Sequence, residues 1–188
     1  MIIEPAGIAD LPTIIAMRDE ASAWLHERGI EQWREPWPNH DAMVDRIAAS
    51  IQAGETWMTR KEDGATTGTV ALDTHADPRL WTPDEREEPT LYLHRLMIRR
   101  RWAGLGAHVL DWAVAKAGYQ GNDWVRVDVW THNEPLHKYY LRHGFEHVRT
   151  RDRDDYPSGA LFQRHADRTA RHPRPGHPVD RAASTLPD

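Results

Sequence analysis

The spacing of apolar residues changes period several times along the chain, and each change marks an element. Ile2 to Glu4 reads as a short strand. Asp10 then caps a helix that tolerates Pro12 in its first turn. Leu11, Ile14, Ile15, Ala21, Ser22 and Leu25 fall near one face of it, and Gly29 is its stop. A proline-rich segment around Trp33, Pro36, Trp37 and Pro38 follows. Met43, Val44, Ile47 and Ile51 predict a second helix from Asp41 to about Ala53. Glu55 to Arg60 and Thr67 to Leu72 read as strands joined at the Asp63-Gly64 hairpin signal. Asp73 to Pro89 is read as a long polar loop, and Leu91 to Ile98 as the strongest strand.

Leu105, Val109, Trp112, Ala113 and Ala117 predict a helix ending at Gly118. From Trp124 to Trp130 the period is two, with Val125, Val127 and Val129 on one side and Arg126 and Asp128 on the other. Asn133 caps a last helix, where Leu136, Tyr139 and Tyr140 share a face and Gly144 ends the pattern. Glu146 to Thr150 and Ala160 to Gln163 are the final strands. Periodicity is lost from about His165, so the expected division is a folded domain over residues 1–164 and a disordered tail over 165–188.

Composition narrows the function. The chain of 188 residues has ordinary hydrophobic and charged fractions, 39% and 28%, which fits one soluble domain. No apolar run approaches a membrane span, and Met1-Ile2-Ile3-Glu4-Pro5 does not resemble a signal peptide, so cytoplasm is the expectation. With no cysteine there is no disulfide, thiolate zinc site or cysteine nucleophile. His137, His143 and His147 straddle a helix end without a matching carboxylate, so no metal is expected. The net charge of -5 argues against nucleic acid as the main partner and favours a cationic small molecule.

The chemistry concentrates between Leu91 and Phe145. A strand runs into Arg101-Trp102-Ala103-Gly104-Leu105-Gly106-Ala107, a glycine turn that opens a helix. Such a turn can offer backbone N–H groups and a positive helix end to a phosphorylated ligand. Tyr140, on a neighbouring helix, has two readings: a core residue, or a proton donor whose pKa of roughly 10 suits a departing thiolate. His94 likewise reads as a buried structural histidine or as a general base. It lies two residues before Leu96, on a face shared with Tyr92. Asp128 and Glu88 are further candidate bases.

These segments resemble the GNAT superfamily of acyl-CoA-dependent N-acetyltransferases over about residues 2–163. Leu96-Met97-Ile98 stands where the family's strand ends in an L-A-V-like triplet. Arg101-Trp102-Ala103-Gly104-Leu105-Gly106 matches [R/Q]-x-x-G-x-[G/A]. Asn133, Tyr140, Gly144 and Phe145 fill the N-x-x-A-x-x-x-Y-x-x-x-G-F pattern. The resemblance implies an α/β fold of the α+β type: a mixed, mostly antiparallel sheet flanked by helices and splayed between the strands 91–98 and 124–130. It implies acetyl-CoA as co-substrate, held by the triplet's backbone, by the turn from Arg101 to Ala107 and by Asn133. It also implies that Tyr140 acts as acid and His94 as base, the latter resembling a histidine of arylalkylamine N-acetyltransferases.

One departure divides the reading. Arg101 lies three residues after Ile98, where many members have about five. A second register places Trp102 at the aromatic position and leaves a short loop without its basic residue. The first register implies acetyl transfer to a primary amine of a small molecule. The second leaves two outcomes open, CoA with a shifted pyrophosphate or another acyl donor, an aminoacyl-tRNA included. A non-catalytic module that binds CoA or an amine is the third reading. The acceptor side is expected to draw on Trp24, Trp33, Trp37, Tyr92 and the acidic stretch from Asp84 to Glu88. A homodimer is compatible with the sequence.

Overall fold

The computed structural model describes residues 1–169; the stretch 170–188, most of the expected tail, lies outside the described residues. Among the described residues, seven strands form one sheet: β1 (Ile2–Pro5), β2 (Thr56–Arg60), β3 (Thr66–Asp73), β4 (Thr90–Ile98), β5 (Trp124–Val129), β6 (Glu146–Thr150) and β7 (Ala160–His165). Their order is β1-β2-β3-β4-β5-β7-β6. Only β4 and β5 pair in parallel; the other neighbours are antiparallel.

Helices cover both faces. α4 (Leu105–Tyr119) and α5 (Glu134–Arg142) lie on one. There Val109, Leu110, Ala113 and Val114 of α4 pack with Val70, Leu72, Leu91, Leu93, Val125 and Val127 of the sheet. On the other face, α1 (Leu11–His26) and α2 (His40–Gln52) bury Ile14, Met17, Met43, Ile47 and Ile51 against Met58 and Met97. Each fully buried aliphatic side chain contributes about 1.5–3 kcal/mol. The valines of β5 meet α4 as their alternation predicts, which turns Arg126 and Asp128 to the opposite face.

Several local expectations change. A short helix, α3 (Pro83–Glu87), interrupts the stretch read as polar loop. It starts with a capping box: the Thr82 hydroxyl accepts from the Glu85 N–H, and the Glu85 carboxylate accepts from the Thr82 N–H. The preceding Leu80 and Trp81 are buried with Tyr92 and Leu161. Gly118 does not stop α4, which runs on to Tyr119. A Cβ at Gly118 would lie 2.1 Å from the Asp167 carbonyl oxygen, so this glycine admits the chain that follows β7. That chain remains part of the fold slightly past the expected boundary: β7 ends at His165, and the Asp167 N–H donates to the Val114 carbonyl.

Two irregularities of β4 shape the site. Only Thr90, Leu91 and Tyr92 pair with β5, opposite Trp124, Val125 and Arg126. Beyond Tyr92 the strands separate, while β5 continues to pair with β7. On its other edge, β4 carries one residue more than β3 between the pairs Ala71↔His94 and Thr69↔Met97. This bulge falls at Arg95, whose φ is 49°. The bulge overturns the expectation that His94 and Leu96 share a face. Leu96 and Ile98 pack with the α4-side core, whereas His94 and Arg95 both turn to the side of α2 and the end of β3.

Candidate active site

A single cleft of about 1810 Å³ runs from the gap between β4 and β5 to the first turn of α4. Its walls come from α1, the Trp33–Pro38 segment, α2, the ends of β3, β4 and β5, and α5. The bulge and the early end of β4–β5 pairing open this space in the middle of the sheet.

His94 is held at the gap between two carboxylates. Its Nε2 lies 3.3 Å from Asp73 Oδ2, and its Nδ1 lies 3.8 Å from Asp128 Oδ1. Burial lowers the imidazole pKa, but the Asp73 hydrogen bond and the Asp128 charge outweigh it, so the net displacement is upward from the ordinary value. Asp73 is displaced downward: burial opposes its ionisation, and the His94 hydrogen bond and charge prevail. Burial raises Asp128 despite His94 and the hydrogen bond that the Tyr156 hydroxyl donates at 2.8 Å. Asp128 thus stands beside the histidine in the same cleft. Glu88, another candidate base, pairs with the buried Arg126 and does not line the cleft.

Tyr140 is 4% exposed and packs against Phe145 and Phe162. The residue also lines the cleft. Burial pushes its pKa far up, so it carries its proton throughout the physiological range. The ring belongs to the core, as the first sequence reading has it, and the same residue borders the cleft. Tyr139 instead lies across the first turn of α4, near Gly106.

The glycine turn divides its tasks. Gly104 has φ 105° and nothing within 4 Å of where a Cβ would stand, so its backbone needs glycine and its surface is open. Gly106 is buried under Tyr139. Arg99, Arg100, Ala103, Gly104 and Gly106 line the cleft with Leu96, Met97 and Ile98. Arg101, Trp102, Leu105 and Ala107 do not; Arg101 is exposed, its guanidinium 5.5 Å from the Trp102 ring. Asn133 caps α5, its Oδ1 accepting from the Leu136 N–H. Its Nδ2 donates to Gln32 Oε1 at 2.6 Å, so the amide also ties α5 to the Trp33 segment.

On the acceptor side, Trp33 lines the cleft with φ 64° and a carbonyl held by Arg18 and Ser22. Trp24 and Trp37 line it too. Tyr92 touches the cleft but is 2% exposed, its ring 5.7 Å from Trp81. The acidic stretch is elsewhere: Glu85 pairs with Arg149 and Glu88 with Arg126, and neither lines the cleft. The carboxylates that line it are those of Glu20, Glu31, Glu35, Glu55, Asp73, Asp77 and Asp128. Asp73, Arg95 and Tyr156 were not singled out from sequence. The adjacent polar pair His94-Arg95 inside an apolar strand was the available signal, since it breaks a period of two.

Among the described residues no group of three or more His, Asp or Glu is placed to hold a metal, and no helix is long and apolar enough to cross a membrane. His137 contacts the Trp130 carbonyl, His143 meets the Tyr139 ring edge-on, and His147 contacts Thr150.

Comparison with known proteins agrees with this geometry. The model of the acetyltransferase (GNAT) family matches residues 18–145. YesJ of Bacillus subtilis (strain 168), described as an uncharacterized N-acetyltransferase, is 32% identical over 146 residues, which cover 76% of this chain and 79% of that protein. A GNAT-family acetyltransferase from Listeria monocytogenes superposes with a TM-score of 0.72 at 25% identity, covering 87% of this chain and 94% of that one. The PaiA N-acetyltransferase of Thermoplasma acidophilum, solved with coenzyme A, shares the fold with a TM-score of 0.63 at 17% identity, covering 87% and 97%.

Proposed function

This chain belongs to the GNAT acetyltransferase family and is an acyltransferase, and on that premise we propose that it transfers an acetyl group from acetyl-CoA to a primary amine of a small molecule. The observation that carries the reading is one cleft that joins the open turn at Gly104, the gap beyond Tyr92, the His94 imidazole and Tyr140. The residues present suit the donor. The first turn of α4 has N–H groups without intrahelical partners, and Gly104 leaves room above them for a pyrophosphate. The unpaired edge of β4 beyond Tyr92 can meet the amides of the pantetheine arm.

His94 receives the proton that the ammonium acceptor must lose, directly or through water, while Asp73 and Asp128 stabilise the resulting imidazolium. The neutral amine attacks the thioester carbonyl, a C–N bond forms and the C–S bond breaks. Tyr140 gives its proton to the departing thiolate, and the second proton, which the attacking nitrogen sheds as the amide forms, restores the phenol that burial keeps protonated at rest. Holding both reactants in one cleft supplies much of the acceleration.

Release of free thiol from acetyl-CoA across a panel of amines tests the reading. Amine-dependent release is the expected result, and its absence with every amine class overturns it. A second reading, transfer from another acyl carrier, draws support from the outward position of Arg101. The same panel run with longer acyl-CoAs and an aminoacyl-tRNA separates the two.

A further inference from the structure

Arg95 is an unpaired cation turned into the acceptor end of the cleft. The bulge places it on the same side as His94, in a left-handed conformation (φ 49°) that costs energy for a residue other than glycine. Its guanidinium donates to the Ser50 hydroxyl at 2.9 Å and, among the described residues, forms no ion pair. Arg46 on α2 is also without a carboxylate partner among the described residues; it donates to the Trp37 carbonyl and stands 5.2 Å over the Trp37 ring. Other arginines of this region are already neutralised: Arg18 by Asp19 and Arg79 by Asp77. Burial first, and then the nearby Arg46 charge, lower the pKa of Arg95 against the opposing charges of Asp73 and Glu55. A strained backbone thus presents a half-buried guanidinium, close to a second like charge, where the Asp73 and Glu55 charges offset it only in part and, among the described residues, neither arginine forms an ion pair. A bound anion relieves this arrangement, and the planar fork of arginine matches an oxyanion in bidentate geometry.

We propose that the acceptor carries an anionic group as well as its amine, an amino acid or aminoalkylphosphonate rather than a polyamine, with Arg95 as anion anchor assisted by Arg46. The proposal rests on the acetyl-transfer reading above. Because Arg95 directly follows His94, one small zwitterion can place its amine at the imidazole and its oxyanion at the guanidinium. The arrangement adds an anionic group to the cationic small molecule that the net charge favoured.

The test compares matched amines with acetyl-CoA: β-alanine, aminoethylphosphonate, propylamine and diaminopropane. For the wild type, kcat/KM for an anionic amine should exceed that for propylamine by about tenfold or more, as loss of a charge-assisted hydrogen bond implies. In Arg95→Met that ratio should fall to about one, chiefly through KM, and Arg95→Lys should recover part of it. β-Alanine against aminoethylphosphonate identifies which anion fits. Binding of both to each variant is also followed by calorimetry, with thermal melting as the check on folding. Transfer to propylamine or diaminopropane as fast as to the anionic amines overturns the anion anchor and leaves acetyl transfer standing. Arg95-dependent binding of β-alanine or aminoethylphosphonate without transfer to any amine retains the anchor and overturns the acetyl-transfer reading. Neither transfer nor Arg95-dependent binding overturns both. If Arg95→Met and Arg95→Lys both fail to fold, Arg46→Met must lower the ratio, and an unchanged ratio overturns the proposal.

Discussion

The Tyr139 hydroxyl occupies the space beside Gly106 so closely that a Cβ there would lie 2.4 Å from its oxygen. This contact locks the first turn of α4 against α5. It gives the second glycine of the turn a packing role, whereas Gly104, with nothing beside it, is the one open to a ligand.

Gly106→Ala is therefore expected to destabilise the fold by about 1–3 kcal/mol, as overpacking does. Tyr139→Phe removes the obstructing oxygen, so the double variant should be more stable than Gly106→Ala alone. Denaturant melts of the four forms measure this coupling, and strictly additive effects would contradict it.

At Gly104 the expected effect is on binding. A bulky residue there meets the cost of positive φ and fills the space above the helix end, so acetyl-CoA affinity should fall. Arg100→Ala should weaken binding more than Arg101→Ala, because Arg100 lines the cleft and Arg101 does not. Calorimetry with acetyl-CoA checks both; the reverse order would restore Arg101 as the motif's basic residue.

Tyr140→Phe keeps the ring against Phe145 and Phe162 and removes only the hydroxyl. Turnover should drop by roughly 10²- to 10⁴-fold, with little change in acetyl-CoA affinity. Because burial drives the Tyr140 pKa far up, no basic limb of the rate profile should belong to it. Equal turnover in both forms would leave Tyr140 as a core residue alone.

His94 should govern the acidic limb. Only its neutral form accepts a proton, so kcat/KM rises with pH through its folded pKa, which lies above the ordinary value of about 6.5. His94→Gln should abolish that limb while acetyl-CoA still binds. Removing a carboxylate charge disfavours the imidazolium, so Asp128→Asn should move the limb to lower pH, and Asp73→Asn should move it further, since Asp73 also supplies the hydrogen bond. A limb unmoved in all three variants would mean that the proton leaves by another route.

Much of the architecture was legible because it follows from local periodicity. The alternation of Val125, Val127 and Val129 determined which face of β5 meets α4, and the apolar spacing of Leu105 to Ala117 determined α4 itself. The glycine turn, the Asn133 cap and the Tyr140-to-Phe145 spacing are short-range patterns, and each lies where its pattern placed it. The α3 capping box of Thr82 and Glu85 was equally local, but the polar surroundings of the segment masked it.

What tertiary structure alone decided involves partners distant in sequence. The bulge at Arg95 arises from the register between β3 and β4, and one extra residue reverses the facing of every side chain after it. That reversal separates Leu96 from His94 and brings Arg95 into the cleft beside it. Asp73 becomes a partner of His94 because β3 pairs with β4, and Tyr156 reaches Asp128 from a loop 28 residues away. Glu85 and Glu88, acidic in sequence and expected near the acceptor, are drawn off by Arg149 and Arg126 because opposite charges pair across whatever distance the fold closes. Local sequence determines which elements form and which face each one buries. The charge of the cleft depends on which ions find partners, and only the folded chain decides that.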